Sequence, residues 1–248
     1  MRLGIISDIH ANLDALEAVE RAAAAARGVA GWVCLGDTVG YGPQPNECAA
    51  RVRQLCDTVL IGNHDLAAIG RLDVRWFNPY ARAAAEWTRA AISNETRSFL
   101  ESLPETSVRP DWNVTFAHGS LTDPPRDYIL NRFDARVNFK LLTTQALFIG
   151  HSHLCHGFTS VEGDGACDEE LFHSRATLAL KTGYRYIINC GSVGQPRDGD
   201  PRAAFGILDL ECRAVEFFRV EYDIAAVQSK MLDAELPAFL SDRLARGQ

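Results

Sequence analysis

The chain gathers its acid, amide and imidazole side chains in short, well-separated clusters: Asp8-Ile9-His10, Gly36-Asp37, Gly62-Asn63-His64-Asp65, His118 and Gly150-His151-Ser152-His153. Five of the seven histidines lie in these clusters. Two aspartates, an asparagine and several imidazoles, with no thiolate among them, suit a mixed oxygen and nitrogen site for manganese, iron, nickel or zinc. The set is too large for one tetrahedral ion and large enough for two, with one carboxylate bridging. Two ions about 3.5–4 Å apart are the apparatus of in-line displacement at phosphorus, because they activate a water and neutralise the phosphoryl oxygens. Taken singly, each residue has a plainer role: Asp8 as a helix cap, Asn63 in a turn, His118 as a satisfied core residue. The end of FIGHSHLCH (148–156) shows the same choice. In an extended segment, residues i and i+2 share a face, so His151 and His153 would converge on one point; the plainer reading is a polar turn closing a strand.

What gives the clusters weight is their position. RLGIIS (2–7), GWVCLG (31–36), TVLIG (58–62), NVTFA (113–117) and ALFIG (146–150) read as buried strands, and each runs directly into one of the clusters. In open α/β sheets the carboxyl ends of strands gather along one edge, where ligands bind. Between the first strands, Leu13, Leu16, Val19 and Ala23 share one face of a helix. Pro43 and Pro45 break a loop before a short helix at about 46–55. This β-α-β-α-β rhythm implies parallel strands with helical crossovers. Residues 79–103 carry Tyr80, Ala84, Trp87 and Ala91 at helical spacing, with Asn94 as the cap of a second piece. Strands then dominate, adding 157–161, 184–190, 203–210 and 214–222 to those above, and the amphipathic stretch 224–245 reads as one or two helices. GDGACDEE (163–170) reads as a solvated hairpin tip. The expectation is one domain over 1–248 with a helical insertion at about 66–103.

The totals exclude several classes. Of the 248 residues, 47% are hydrophobic and 23% charged, ample for a core. A net charge of −7, with no basic run, argues against general nucleic-acid binding and against acidic membranes. Seven scattered cysteines with no C-x-x-C pair give no disulfide framework. The polar, short N-terminal stretch MRLGIISDIH does not read as a signal peptide, and no apolar run spans a bilayer, so a soluble, cytoplasmic protein is expected. The oligomeric state is left open.

The order D8-I-H10, G36-D37, G62-N63-H64-D65, H118, G150-H151-S-H153 resembles the calcineurin-like metallophosphoesterase superfamily. N189-C-G-S-V-G-Q-P-R197-D is similar to the late glycine-rich turn of its small prokaryotic phosphodiesterase branch. The resemblance implies an α/β fold of two central β-sheets sandwiched between helices, an αββα sandwich. It implies two divalent metal ions, manganese first among them, one held by Asp8, His10, Asp37 and His153 and the other by Asp37, Asn63, His118 and His151. His64 would then steady the phosphate and protonate the leaving oxygen as general acid. Protein serine/threonine phosphatases of the superfamily carry G-D-x-V-D-R-G, where this chain has G36-D-T-V-G-Y-G. The acid that would orient the catalytic histidine and the arginine that would grip phosphate are therefore absent at those positions. Ala11 and Cys190 also depart from the family pattern, and neither removes a ligand.

The function expected is a dinuclear-metal phosphodiesterase acting on small soluble phosphate esters, nucleotides among them. The alternatives are a phosphomonoesterase on the same site and, from a different class, a scaffold or nucleotide-binding protein. Scaffold members of the superfamily, such as the retromer subunit, typically lose ligands, and here every ligand position is filled. Two further residues are candidates for binding substrate: Asn12, whose other role is a helix N-cap, and Arg197, which would clamp phosphate bidentately or else sit in a surface salt bridge. Cys155 and His156 are weak ligand candidates, and His173 reads as surface.

Overall fold

A computed structural model of the chain describes residues 1–26, 28–163, 166–173 and 175–248. The first half alternates as its periodicity requires: β1 (Arg2–Ile6), α1 (Leu13–Ala25), β2 (Val29–Cys34), α2 (Pro45–Leu55) and β3 (Thr58–Val59). Three helices follow, α3 (Asn63–Ala68), α4 (Pro79–Ala91) and α5 (Asn94–Glu101), with a 3-10 turn at Val74–Trp76 between the first two. Then come β4 (Thr106–Arg109), β5 (Val114–Ala117), α6 (Arg132–Leu141), β6 (Ala146–Ile149), β7 (Cys155–Val161), β8 (Asp168–Leu171), β9 (Ala176–Ala179), β10 (Tyr184–Cys190), β11 (Ala203–Asp209) and β12 (Ala214–Val220). Helices α7 (Ile224–Asp233) and α8 (Ala238–Asp242) and a 3-10 turn at Arg243–Arg246 end the chain.

The strands form two six-stranded mixed sheets, in the orders β3-β2-β1-β11-β12-β9 and β4-β5-β6-β10-β7-β8. Strands β1, β2 and β3 are parallel neighbours, as are β5, β6 and β10. The five apolar runs that precede the polar clusters thus point their carboxyl ends the same way within each sheet. Leu3, Ile5, Val33 and Leu35 of the first sheet meet Phe116, Phe148 and Ile188 of the second in a common core. On the outer face of the first sheet, Leu16 and Val19 of α1 pack with Trp32 and Phe205, and on that of the second, Phe139 of α6 packs with Phe158 and Ile187. Strands covered on both faces read as continuous apolar runs. This is the αββα sandwich expected.

Some local expectations fail. Asp168–Leu171, assigned to a hairpin tip, is an edge strand paired with β7, and residues 164 and 165 of that tip lie outside the described residues. Edge strands β4 and β9 were not expected. The third strand is two residues long: Leu60 still donates to the Cys34 carbonyl at 2.9 Å, but Ile61 donates to Pro104, outside the sheet. Helix α5 is capped by Ser93, whose hydroxyl accepts the Thr96 N–H at 3.1 Å, and Asn94 is its first helical residue. No helix is long and apolar enough to cross a membrane among the described residues.

Candidate metal centre

The loops leaving β1, β2, β3, β5 and β6 meet at one end of the sandwich. Asp8, His10, Asp37, Asn63, His64, His118, His151 and His153 are all there and all buried. Two sets of three ligand atoms stand out: Asp8, His10 and His153, and Asp37, His118 and His151, the atoms of each set lying within 4.8 Å of one another. These are the two groupings implied by the motifs, each without the residue that would be shared or supplied by an amide.

Hydrogen bonds fix which atom of each imidazole faces inward. A carbonyl oxygen only accepts, so a ring nitrogen bonded to one must carry the proton. His10 donates from Nδ1 to the Val39 carbonyl at 3.2 Å, His118 from Nδ1 to Leu35 at 3.0 Å, and His153 from Nδ1 to Gln195 at 2.5 Å. Each therefore turns Nε2 into the site. His151 is reversed: its Nε2 donates to the Arg126 carbonyl at 2.9 Å, which leaves Nδ1 as its ligand atom. Carbonyl partners of this kind are the usual outer support of metal-binding histidines. The inward nitrogens crowd together, with His10 Nε2 3.1 Å from His153 Nε2 and His153 Nε2 3.3 Å from Asp8 Oδ1.

Asp37 joins the two sets. Its Oδ1 accepts the His64 N–H at 2.8 Å. Its Oδ2 is buried without a hydrogen-bond partner, 3.6 Å from His10 Nε2 and 3.4 Å from His118 Nε2. An orphaned buried carboxylate oxygen is costly unless a cation faces it. Asn63 Oδ1 lies 3.2 Å from His118 Nε2, so the amide stands on the same side as the second set. The donor set, the fixed tautomers and the orphaned oxygen all fit two divalent ions.

Charge follows the same geometry. Burial raises Asp37, but His118, His64 and His10 outweigh it and hold its pKa well below the ordinary value. Burial likewise opposes ionisation of Asp8, and His153 beside it brings it low. Burial lowers His10, His153 and His151, the last to about 3. Of the five imidazoles, His118 alone is raised: burial works against its charge, but Asp37 lifts it to about 9. It is the group that must release a proton to serve as a ligand.

His64 sits at the start of α3 with Nδ1 buried and unpartnered. Gly40 occupies the place of the missing acid: a Cβ there would lie 2.7 Å from that Nδ1, and the backbone is left-handed (φ +91°). The ring is held instead by aromatic neighbours, Tyr41 at 4.3 Å and Phe77 and His10 at 4.9 Å between centroids. Burial pushes its pKa down to about 4, with Arg197 among the charges that lower it. At neutral pH it is a neutral imidazole.

The remaining candidates divide. Asn12 is the N-cap of α1: its Oδ1 accepts the Ala15 N–H at 3.1 Å and its Nδ2 donates to the Gly194 carbonyl at 3.0 Å. The buried side chain thus ties the first loop to the glycine-rich turn, which is the N-cap role weighed beside substrate binding. Arg197 reaches the site from that turn, its guanidinium 5.6 Å from the Tyr41 ring centroid and donating to Gln195 Oε1 at 2.8 Å. His156 is buried 3.7 Å from Glu169, and His173 is exposed. Asp65, which sequence reasoning placed in the Asn63-His64 cluster without a role, accepts the N–H groups of Val39 and Gly62, both at 3.0 Å, and so ties the Asp37 loop to the Asn63 loop. Sequence reasoning missed Phe77 and Tyr128, which had no signal. A larger cavity, about 690 Å³, opens at the opposite end of β6 and β10 beside Gln145 and Arg213 and holds none of the ligand residues.

Two mixed sheets between helices, with paired acid and imidazole sets at the strand ends, define a metallophosphoesterase fold. Residues 1–213 match the family model described as the calcineurin-like phosphoesterase superfamily domain, and the chain belongs to that superfamily. It is 38% identical over 251 residues to the uncharacterized protein MJ0912 of Methanocaldococcus jannaschii, covering 99% of this chain and 98% of that one. A metallophosphoesterase from Sphaerobacter thermophilus is similar in structure with a TM-score of 0.87 and 44% identity, covering 100% of this chain and 99% of the other. The hypothetical protein PH1004 from Pyrococcus horikoshii OT3 shares the fold at a TM-score of 0.78 and 18% identity, covering 100% and 98%.

Proposed function

We propose that the protein is a dinuclear-metal phosphodiesterase of small soluble phosphate esters, nucleotides among them, working in the cytoplasm with manganese. The observation that carries the reading is Asp37 Oδ2, a buried carboxylate oxygen without a hydrogen-bond partner between His10 Nε2 and His118 Nε2. One ion would be held by Asp8, His10, Asp37 and His153, and the other by Asp37, Asn63, His118 and His151. When bound, such ions act as Lewis acids that make water a nucleophile at neutral pH and neutralise charge on phosphoryl oxygens. The chain's own residues do the rest. Arg197 supplies a guanidinium that binds and orients the phosphate. His64 donates a hydrogen bond to a phosphoryl oxygen, and the anionic phosphate beside it draws its proton affinity back up for transfer to the leaving oxygen. Asp65 and the carbonyl partners of the histidines keep the acceptors in place. The absence of an arginine in G36-D-T-V-G-Y-G favours diesters over the dianionic monoesters that need more positive charge.

The test is hydrolysis of an aryl phosphodiester by the purified chain. Chelation should abolish it, and manganese should restore it with close to two ions bound per chain. The same preparation should cleave a mononucleotide ester with a higher kcat/KM than the same linkage in a long oligonucleotide, since no basic stripe tracks a polymer backbone. Full activity in a metal-free preparation refutes the metal reading, and a strong preference for the polymer refutes the small-substrate one.

A further inference from the structure

A cleft of about 290 Å³ opens directly beside the metal centre, with Asn63 and His151 at its inner end and Leu72, Trp76, Phe77 and Tyr128 around it. Its aromatic walls are built in different ways. Tyr128 stacks flat on His151, ring centroids 3.7 Å apart at 16°. Phe77 packs on His64 at 4.9 Å. Trp76 is 88% exposed and makes no ring contact among the described residues. Elsewhere on the surface, exposed Tyr80 is stacked on Phe239 at 4.6 Å. The turn that carries Trp76 is held in shape: Asp73 accepts the Arg75 backbone N–H at 3.0 Å and pairs with its guanidinium at 2.5 Å.

We propose that this cleft is a stacking subsite and that Trp76 selects phosphate esters whose leaving group is, or carries, a planar aromatic ring, such as an aryloxide or a nucleoside. The inference rests on the phosphoesterase reading above and names its substrate class. The placement argues for the leaving group: Phe77 packs on His64 at 4.9 Å and lines the same cleft as Trp76 and Tyr128, so a flat ring joined to an ester oxygen near His64 meets aromatic side chains there. Such stacking tolerates any ring, because every aromatic has a π face, and is worth about 5- to 150-fold in affinity. It is present in the bound substrate as well as the transition state, so its loss appears in KM.

The experiment compares, on the manganese-loaded full chain, an aryl methyl phosphate with a polyfluoroalkyl methyl phosphate of matched leaving-group acidity. The aryl ester should have the higher kcat/KM by about 10-fold or more. Trp76→Ala should erase most of that ratio through KM, Trp76→Phe should retain much of it, and Phe133→Ala, an exposed aromatic on α6 outside the cleft, should leave it unchanged. A binding readout stands apart from turnover: AMP should quench tryptophan emission where ribose 5-phosphate does not, and the quench should vanish in Trp76→Phe. Equal kcat/KM for the two esters, a ratio unaffected by Trp76→Ala, or no AMP-specific quench overturns the subsite. So does a dimer in sedimentation that Trp76→Ala dissociates while the ratio holds, since the indole then serves a contact between copies. If no ester is hydrolysed, the phosphoesterase reading fails by itself and the quench decides the subsite.

Discussion

Replacing Asp37 with asparagine keeps the side chain's volume and an acceptor for the His64 N–H, and changes the one carboxylate oxygen placed between the two ligand sets. If manganese is supplied at about 100 times its Kd, each ion bound only to the folded chain stabilises it by about 2.7 kcal/mol. Two independent sites then give about 5 kcal/mol, which for a chain of this size raises Tm by about 10–20 °C. Asp37→Asn removes a ligand from both sets. A 100-fold loss of affinity at each leaves about 0.4 kcal/mol per ion at the same manganese concentration, a shift of only a few degrees. The quantity to compare is the metal-induced change in Tm by calorimetry, because the metal-free variant also loses the Asp37–His118 attraction at 3.4 Å. Metal content after gel filtration gives the second reading, close to two ions in the parent and well below one in the variant. An Asp37→Asn protein that keeps two ions and the full metal-induced shift refutes the bridging assignment.

His64→Ala should keep both ions and lose about 100-fold or more in kcat, with the smallest loss for esters of acidic leaving groups; metal analysis and a leaving-group series check this, and an emptied site refutes it. Arg197→Ala should raise KM for small esters and leave metal content unchanged, because the guanidinium binds phosphate without activating water; a pure kcat effect would count against it. His156, buried near Glu169 with its pKa lowered chiefly by burial, should contribute acid sensitivity. Below pH 6.5 the unfolded chain takes up a proton that the folded one refuses, so stability falls with pH by up to about 1.4 kcal/mol per unit until the folded pKa is reached. Urea unfolding from pH 7.5 to 5.5 in chelator should show a shallower slope in His156→Gln, and equal slopes would refute the assignment.

The ligands were legible because each follows an apolar run long enough to be a buried strand, and parallel strands deliver their ends to one edge. The strands that escaped notice are edge strands of four residues with exposed positions, TSVR, DEEL and ATLA. Their pairing is decided by the neighbour they lie against, and nothing in their own composition announces it. Asn12 illustrates a second limit. Its position beside the Asp8-Ile9-His10 motif suits substrate binding and a helix N-cap alike, and only the fold shows the side chain accepting the Ala15 N–H. The aromatic wall shows a third. Trp76 and Phe77 come from one turn and Tyr128 from a distant loop, so no spacing in the chain could bring them together on paper.

The opening expectation for His151 and His153 assumed an extended segment, which the fold does not have there. On a pleated strand, residues two apart share a face and sit about 6.6 Å apart, which would aim both rings at one place. In the fold, both residues are left-handed, at φ 65° and 60°, and so are Asp8, His10, Ala11, Asp37 and Tyr41. The chain therefore turns sharply at these ligands, and His151 lies in the Asp37 set while His153 lies in the Asp8 set. Such conformations cost about 1–3 kcal/mol each and persist only where the surroundings over-determine them. Here the surroundings are backbone hydrogen bonds between loops: Asp8 N–H to Gly36, His10 to Asp37 and Ala11 to Thr38, all at 3.0 Å, with Gly194 closing on Asp8 at 2.9 Å. Each strained loop is held by its neighbour from a parallel strand, and the Ser192 hydroxyl donates to the Asp8 carbonyl at 2.8 Å from the second sheet's last loop. Strain of this kind is stable only on a rigid frame. The two-sheet core is that frame, and it lets acids and imidazoles face one another at 3–4 Å in a position that a flexible loop would relax away from.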